Sequence, residues 1–160
     1  MPVSCSFRLN GQRMSVLLCP GLGGIAAFSG DGIYVDDPSA TAKKDEGPLP
    51  AGTYFIVDRE SGGRLGWLRD TIANTFTHTS RSGWFALYRN DGLIDDYTYI
   101  NGVLRGEFRL HPAGRTNQSK GCITVHNRFQ FEKLRTFLKS QPRAVIPGTN
   151  ISYYGTVNVR

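Results

Sequence analysis

Short runs of β-branched and aromatic residues, each closed by a turn rich in glycine, proline or asparagine, recur along the whole chain. Runs of this length favour β-strands, because a helix needs a longer segment with apolar residues at every third or fourth position. The 19 glycines supply the tight turns between the runs. The sequence therefore predicts a mainly β domain, with strands over 3–9, 14–19, 52–57, 84–88, 97–103, 106–110, 122–125 and 151–157.

Two segments have the apolar periodicity of a helix. Asn127 is suited to cap a helix that runs to about Gln141. Its apolar face comprises Phe131, Leu134 and Leu138. A second, shorter helix is predicted over 64–75, where Gly66 weakens the pattern.

The opening strands predict a hairpin with a two-residue turn at Asn10-Gly11. In that register the numbers of paired residues sum to 21, so Cys5 faces Val16 and Cys19 faces Pro2. The two cysteines would then lie about three residues, or ~10 Å, out of register at the rise of a strand. That separation is too large for a disulfide bond. We therefore predict that Cys5 and Cys19 are free thiols.

Composition limits the class of protein. A chain of 160 residues can bury about 70% of its unfolded surface, which suits one domain. The net charge of +6 favours anionic partners such as the bacterial envelope. The basic residues do not form the continuous run that is typical of a nucleic-acid-binding segment. No apolar run approaches the ~20 residues of a membrane span. Proline and glycine interrupt residues 14–28, so neither membrane insertion nor a cleaved signal peptide is expected.

A histidine and a cysteine with ten residues between them are the candidate catalytic residues of the sequence. His111 precedes a polar loop, and Cys122 follows Ser119 and Gly121 in a turn of small residues. A cysteine attacks as its thiolate, and a neighbouring imidazole can take the thiol proton. Gly121 allows a positive φ and a close approach of substrate, and Ser119 can hydrogen-bond the turn. Backbone N–H groups around Gly121 and Cys122 could stabilise an oxyanion.

Other interpretations of the same residues remain open. A free cysteine is usually a small buried side chain, which would make this a binding domain for the envelope or a glycan. A catalytic cysteine should react with an alkylating reagent at a pH well below ~8.5, the usual pKa of a free thiol, whereas an inert cysteine should not. His78, His111, Cys122 and His126 could bind a metal, but only Cys122 and His126 approach the spacing of zinc ligands. We expect no metal and no cofactor.

Several residues near this segment are candidates for substrate binding. Arg105 and Arg109 have the guanidinium geometry that suits a substrate carboxylate. Asp95 and Asp96 could be turn residues, or could bind an amine or orient an arginine; the first interpretation is favoured. Aromatic residues here are expected in the core and at the rim, with Tyr99 kept as a candidate substrate contact; they are Trp84, Tyr88, Tyr97 and Tyr99.

Two separated motifs resemble the L,D-transpeptidase family of peptidoglycan enzymes. Residues 47–54 are similar to the start of a characteristic strand in these domains, and His111 followed by Ser119-Lys120-Gly121-Cys122-Ile123 is similar to their catalytic motif. Residues 84–112 resemble more closely the small L,D-transpeptidase-like effectors of type VI secretion. This chain has Lys120 and Thr124 where housekeeping enzymes commonly have histidine and arginine or asparagine.

The resemblance implies a mixed β-sandwich in a single catalytic domain, 1–160, with a hairpin at 1–24 and the catalytic core at 25–160. Cys122 would attack the meso-diaminopimelate carbonyl of a tetrapeptide stem, and His111 would protonate the departing D-alanine. Water would complete an L,D-carboxypeptidase reaction, and a D-amino acid or a second stem would complete a transpeptidation. A cysteine peptidase that cleaves another amide is the alternative within enzymes.

The resemblance also implies partners and a place of action. An effector of this kind is made in the cytoplasm without a cleaved signal peptide, is exported with type VI secretion components, and acts on peptide stems in the periplasm of a target bacterium. A cognate immunity protein would protect the producing cell. A monomer suits this route.

Overall fold

Eleven strands and one α-helix make up the regular structure of the residues that the computed structural model describes, which are 1–59, 83–114 and 119–160. In chain order the strands are β1 (Val3–Phe7), β2 (Ser15–Cys19), β3 (Gly23–Phe28), β4 (Gly52–Asp58), β5 (Phe85–Arg89), β6 (Tyr97–Ile100), β7 (Val103–Gly106), β8 (Arg109–Pro112), β9 (Ile123–Val125), β10 (Ala144–Val145) and β11 (Ser152–Val159). The helix, α1, spans Arg128–Ser140 and follows β9. The predicted mainly β fold is confirmed, whereas the helix predicted over 64–75 lies outside the described residues.

Nine of these strands form one sheet that closes on itself. Their order is β1-β2-β3-β9-β8-β5-β4-β11-β10, and β1 also pairs with β11. The sheet is mixed, because β1 and β11 run parallel, as do β8 and β9, while the other neighbours are antiparallel. Closure into a barrel leaves fewer exposed strand edges than an open sheet would have. Strands β6 and β7 form a separate hairpin about Asn101-Gly102. The sequence analysis instead predicts one strand over 97–103 and another over 106–110, so its bounds differ from those of β6, β7 and β8.

The main core lies inside the barrel and against α1. Alternate residues of the strands point inward, among them Tyr54, Phe85 and Leu110, and all are almost fully buried. The predicted face of α1 joins the same buried cluster through Phe131, Leu134 and Leu138. Asn127 caps the helix by accepting a hydrogen bond from the backbone N–H of Gln130 at 3.1 Å.

A second buried cluster covers the outer face of β4 and β5. Its members are Phe55, Val57, Ala86, Tyr88 and Ile146. Strands β4 and β5 are therefore buried on both faces, which fixes their register against β8. The outer face of β8 and β9 continues from this cluster.

The register of the opening hairpin differs from the prediction by three residues. Ser6 pairs with Leu18 and Phe7 with Leu17, so paired numbers sum to 24 rather than 21. The connection is longer than a two-residue turn because Asn10 folds it locally. Its side chain accepts from the N–H of Gln12 at 3.0 Å and donates to the carbonyl of Met14 at 2.9 Å.

This register brings Cys5 opposite Cys19, with a Cα–Cα distance of 4.3 Å, and the two form a disulfide bond. The prediction of two free thiols is therefore wrong. Both cysteines are buried inside the barrel, at 1% and 0% exposure. The bond ties β1 to β2 at the point where the sheet closes.

Loss of this disulfide should lower stability. A cross-link across a loop of this length constrains the unfolded chain by about 3 kcal/mol, which corresponds to roughly 5–10 °C in the unfolding midpoint of a domain of this size. We expect a reductant to lower the midpoint of the wild type towards that of Cys5→Ala/Cys19→Ala, and to leave the double variant unchanged. Three titratable thiols in the unreduced, denatured wild type would contradict the bond.

Candidate active site

The parallel pairing of β8 and β9 brings the candidate residues together. Leu110 pairs with Ile123 and His111 with Thr124. Leu110 and Ile123 belong to the inner core, so His111 and Thr124 lie on the outer face. One further step of the same register places Cys122 beside Arg109, on the face that carries His111.

Cys122 lies directly before β9 and is a partly buried free thiol. Its Sγ is 4.0 Å from the carbonyl oxygen of Glu107. Burial raises the pKa of Cys122 to about 11, although the backbone N–H and the guanidinium of Arg109 oppose that shift. This direction is opposite to the lowered thiol pKa that the sequence-based hypothesis expects. The resting cysteine therefore carries its proton at neutral pH.

His111 is buried within β8, and its contacts define which ring nitrogen is basic. Nδ1 is 2.7 Å from the carbonyl oxygen of Pro112, which can only accept, so Nδ1 carries the proton. Nε2 points towards β9, where the Thr124 hydroxyl lies 3.4 Å away. With Nδ1 protonated, Nε2 is the ring nitrogen that can accept a proton.

Trp84 packs against His111, and the sequence analysis did not single it out for this site. The two rings stack with centroids 4.3 Å apart and an angle of 20° between planes. The guanidinium of Arg59 lies 5.1 Å from the centre of the Trp84 ring. What could have linked Trp84 to the site is its position immediately before β5, because β5 pairs with β8, the strand that carries His111.

The turn before Cys122 has the features that the sequence predicts. The Ser119 hydroxyl donates to the carbonyl of Cys122 at 2.7 Å and accepts from the N–H of Gly30 at 3.4 Å. Gly121 has a φ of +96°. A Cβ at Gly121 would lie 2.5 Å from the Arg105 guanidinium and 2.8 Å from the Phe108 ring. The turn is therefore tightly enclosed on this side.

Arg105 extends from β7 and is only 2% exposed. Its guanidinium donates to the backbone carbonyls of Thr41, Gly47 at 2.9 Å and Pro48 at 3.3 Å. These bonds hold the 41–48 loop against the turn of Gly121. The contacts favour a positioning role for Arg105 over the predicted contact with substrate.

Arg109 is paired within the chain rather than solvated. It donates to both carboxylate oxygens of Asp96, at 2.6 and 2.8 Å, and to the carbonyl of Phe108 at 2.8 Å. The interpretation of Asp96 as a turn residue is therefore wrong, because its carboxylate orients this arginine. Asp95 does form a turn, since it accepts from the N–H of Tyr97 at 2.9 Å.

The predicted aromatic positions divide between core and rim. Tyr88 is 2% exposed, and its hydroxyl has no hydrogen-bond partner in the described part of the chain. Burial raises the pKa of Tyr88 to about 12. Tyr99, the candidate substrate contact, is 69% exposed on the β6–β7 hairpin. The fold brings Cys122, His111 and Arg109 together but gives Tyr99 no contact with them.

Asp36 supports the loop behind the turn. Its Oδ1 accepts from the backbone N–H of Ser29 at 2.8 Å, and the Ser29 hydroxyl accepts from the N–H of Leu49 at 2.7 Å. The other oxygen, Oδ2, is buried and has no partner among the described residues. Burial raises the pKa of Asp36 from 3.8 to about 7. A carboxyl group in this environment binds its proton more tightly in the folded state.

Stability should consequently depend on pH through Asp36. An acid whose folded pKa exceeds its unfolded pKa contributes most below the unfolded value, so this contribution is lost as pH rises from about 4 to 7. Asp36→Asn keeps an oxygen acceptor and tolerates the φ of +53°. We expect urea unfolding of the variant at several pH values to show a flatter profile over this range. An unchanged slope would contradict a proton on Asp36.

The described residues show neither a metal-binding cluster nor a membrane-spanning helix. Within residues 1–59, 83–114 and 119–160, no group of three or more His, Cys, Asp or Glu side chains is arranged to hold a metal ion. In the same ranges no helix is both long and apolar enough to span a membrane. His78, one of the candidate metal ligands, lies outside the described residues.

Comparison with known proteins gives one match. A family model described as the Tlde1 domain matches residues 23–149. The matched region starts with β3, includes both candidate motifs, and ends before β11. No curated protein and no solved structure matches the chain.

Proposed function

The chain belongs to the Tlde1 domain family of type VI secretion effectors that act on peptidoglycan, and on that premise we propose that it removes or exchanges the terminal D-alanine of tetrapeptide stems. The observation that carries the proposal is the parallel β8–β9 ladder, which sets Cys122 and His111 on one face. Residues 119–122 add a glycine turn whose N–H groups suit an oxyanion.

The protonation of the two residues favours general-base attack rather than a resting ion pair. Cys122 starts as a thiol, and Nε2 of His111 takes its proton as Sγ attacks the meso-diaminopimelate carbonyl. The carbonyl oxygen becomes an oxyanion held by N–H groups of the Gly121-Cys122 turn. The C–N bond then breaks, D-alanine leaves with the proton from Nε2, and a thioester remains. Water or the amine of a D-amino acid attacks the thioester and returns the thiol.

The neighbours of His111 suit this cycle. The imidazole becomes positively charged only after it takes the thiol proton, and an indole face stabilises such a cation. Stacking of Trp84 on the ring therefore favours the charged intermediate over the resting state. The Pro112 carbonyl keeps Nδ1 protonated throughout. Direct contacts of Arg109, Arg105 and Tyr99 with the stem stay predictions.

The disulfide supports action outside the cytoplasm. Disulfide bonds persist in the bacterial periplasm and are rare in reducing cytosol, and Cys5–Cys19 closes the barrel that carries the site. We propose that the enzyme acts in the periplasm of a target bacterium after type VI delivery. A cognate immunity protein in the producing cell follows from the same proposal, as does a monomeric state.

A non-catalytic envelope-binding domain is the second candidate, and the raised pKa of Cys122 favours it. An inert buried cysteine has the same property. Alkylation distinguishes the two. A thiol next to a working base should react with iodoacetamide at neutral pH and lose that reactivity in His111→Gln, whereas an inert thiol reacts slowly in both proteins.

The proposed reaction is tested by its products. We expect disaccharide-tetrapeptide to lose D-alanine, and to exchange it for D-methionine when that amino acid is supplied, as read by mass spectrometry. Hydrolysis in ¹⁸O-labelled water should place one label in the new carboxylate. Disaccharide-tripeptide, which lacks the terminal D-alanine, is the matched control and should stay unchanged in plain water. An intact tetrapeptide in the presence of a reactive Cys122 would refute the proposed bond specificity.

A further inference from the structure

A cavity of about 230 Å³ lies between the β6–β7 hairpin, the loop at Lys44-Asp45 and the turn before Cys122. It is open to solvent, and four of the charged residues that line it are exposed, whereas Arg105 is buried; the four are Lys44, Asp45, Glu107 and Lys120. The volume suits a group the size of one amino acid rather than a whole muropeptide. None of its lining residues has a role in the proton transfer described above.

Three residues that line the cavity also lie near Cys122. Glu107 lines it, and the carbonyl oxygen of Glu107 is the atom 4.0 Å from Cys122 Sγ. Lys120 lines it two residues before the cysteine. Arg105 lines it as well, and its guanidinium lies against Gly121. A molecule in this cavity would therefore be next to the acyl group of a thioester on Cys122.

Charges of both signs line the cavity. Lys44 and Lys120 are cations whose ammonium groups suit a carboxylate. Asp45 and Glu107 are the anions. Burial lowers the pKa of the Arg105 guanidinium, and Tyr54 and then Asp45 partly oppose that shift. A ligand that fits this arrangement has one carboxylate and one ammonium group within a few bonds of each other.

The backbone at both acids is unusual. Asp45 has a φ of +64° and Glu107 a φ of +57°, a region that residues other than glycine seldom adopt. Such conformations cost free energy and concentrate at functional sites. At Glu107 the N–H donates to the carbonyl of Asp96 at 2.9 Å, which fixes the residue between the cavity and Cys122. The strained backbone of Glu107 thus joins the wall of the cavity to the carbonyl oxygen that lies near Cys122 Sγ.

We propose that this cavity is a subsite for an α-amino acid zwitterion, with its carboxylate bound by Lys44 and Lys120 and its ammonium bound by Asp45 and Glu107. The inference rests on the proposed function, in which two groups have this chemistry. One is the D-configured end of the meso-diaminopimelate side chain, which carries a free ammonium and a free carboxylate. The other is a D-amino acid acceptor. For an acceptor, the bound ammonium first loses one proton to solvent; the resulting amine attacks the thioester carbon and passes a second proton to His111, and the C–S bond breaks as the Cys122 sulfur takes that second proton.

Matched pairs of variants test the subsite. Lys44→Gln and Asp45→Asn each remove one charge from the cavity wall, whereas Lys43→Gln and Glu46→Gln remove the same charges from adjacent exposed residues that do not line it. We expect a rise of about tenfold in KM for the zwitterionic ligand in the first pair, as for the loss of one charge-assisted hydrogen bond, and no change in the second pair.

The source of the zwitterion follows from which KM changes. A higher KM for tetrapeptide hydrolysis without added amino acid, absent when the side-chain carboxylate of diaminopimelate is amidated, assigns the cavity to the stem. A higher KM for D-methionine in exchange, with hydrolysis unchanged, assigns it to the acceptor. Equal KM values in Lys44→Gln and Lys43→Gln would overturn the subsite.

A binding measurement separates failure of the subsite from failure of the proposed reaction. Free meso-diaminopimelate and D-methionine are titrated into Cys122→Ala by NMR, which needs no turnover. We expect shifts at Lys44, Asp45 and Glu107 with at least one of them, and loss of those shifts in Lys44→Gln/Cys122→Ala. If D-alanine release fails but these shifts appear, the reaction is wrong and the subsite stands. The absence of shifts with both ligands overturns the subsite whatever the activity.

Discussion

Cys122→Ala is expected to lower D-alanine release by more than about 10³-fold, because removal of a nucleophile leaves only binding and oxyanion stabilisation. Cys122→Ser should be nearly as inactive, since a hydroxyl is a far weaker nucleophile than sulfur with the same base. The rate of D-alanine release from disaccharide-tetrapeptide is the measurement. Toxicity in the periplasm of a target cell should disappear with it.

The controls for this prediction come from the same chain. The unfolding midpoint of Cys122→Ala should stay close to that of the wild type, because the side chain is small and only partly buried. Cys5→Ala/Cys19→Ala, assayed below its unfolding transition, should keep its activity, which shows that the requirement is specific to one cysteine. Release of D-alanine by Cys122→Ala would rule out an acyl-enzyme mechanism through this cysteine.

Gly121→Ala should be the most damaging change among the glycines of the site. The residue has a φ of +96°, and an added Cβ would lie 2.5 Å from the Arg105 guanidinium and 2.8 Å from the Phe108 ring. Arg105 cannot move aside without losing its bonds to the 41–48 loop. Backbone strain and overpacking together should cost about 3 kcal/mol. A displacement of ~1 Å at the nucleophile should lower kcat by about 10²-fold.

Gly92 is a matched control for the backbone strain alone. Its φ is +98°, and no atom lies within 4 Å of an added Cβ. Gly92→Ala should therefore be destabilised by backbone strain alone, by about 1 kcal/mol in the free energy of unfolding, with kcat unchanged. Denaturant unfolding and stem hydrolysis on both variants separate the two effects. Equal losses in the two variants would mean that the enclosure of Gly121 by Arg105 and Phe108 is unimportant.

Local signals in the sequence predicted local structure correctly. Asn127 and the apolar residues at 131, 134 and 138 define the start and the buried face of α1 within thirteen residues. The sequence also indicates two strands about Asn101-Gly102, although their predicted bounds, 97–103 and 106–110, differ from those of β6 and β7. In both cases the interacting groups are a few positions apart, so sequence spacing determines which side chains meet.

Errors arose where contacts at a distance outweigh a local signal. Asn10-Gly11 predicts a short turn, but the N–H of Gly11 donates to the carbonyl of Asp36, and the connection is longer. The register shifts by three residues as a result, and Cys5 meets Cys19. No spacing in the sequence indicates that Asp96 pairs with Arg109, or that Arg105 bonds the 41–48 loop more than fifty residues away.

The candidate site shows both situations. Residue types and their order identified Cys122 and His111 as candidates, whereas the parallel ladder that sets them on one face is a tertiary feature. Trp84 was interpreted as a core or rim residue because its contact with His111 depends on the β5–β8 pairing. The catalytic hypothesis expects a lowered pKa for the Cys122 thiol, but burial raises it, and the extent of that burial depends on the fold around Cys122.

Closure of the barrel between the first and last strands affects the order in which the molecule can fold. Val3 pairs with Gly155, and β11 lies between β1 and β4. The β1–β2 hairpin can form early from near neighbours, but β1 and β4 keep an unpaired edge until almost the whole chain has been synthesised or has emerged from a delivery machine. Contacts of such long sequence separation slow folding. Insertion of β11 is therefore the step that completes the sheet, and the interval before it is when the exposed edges can aggregate.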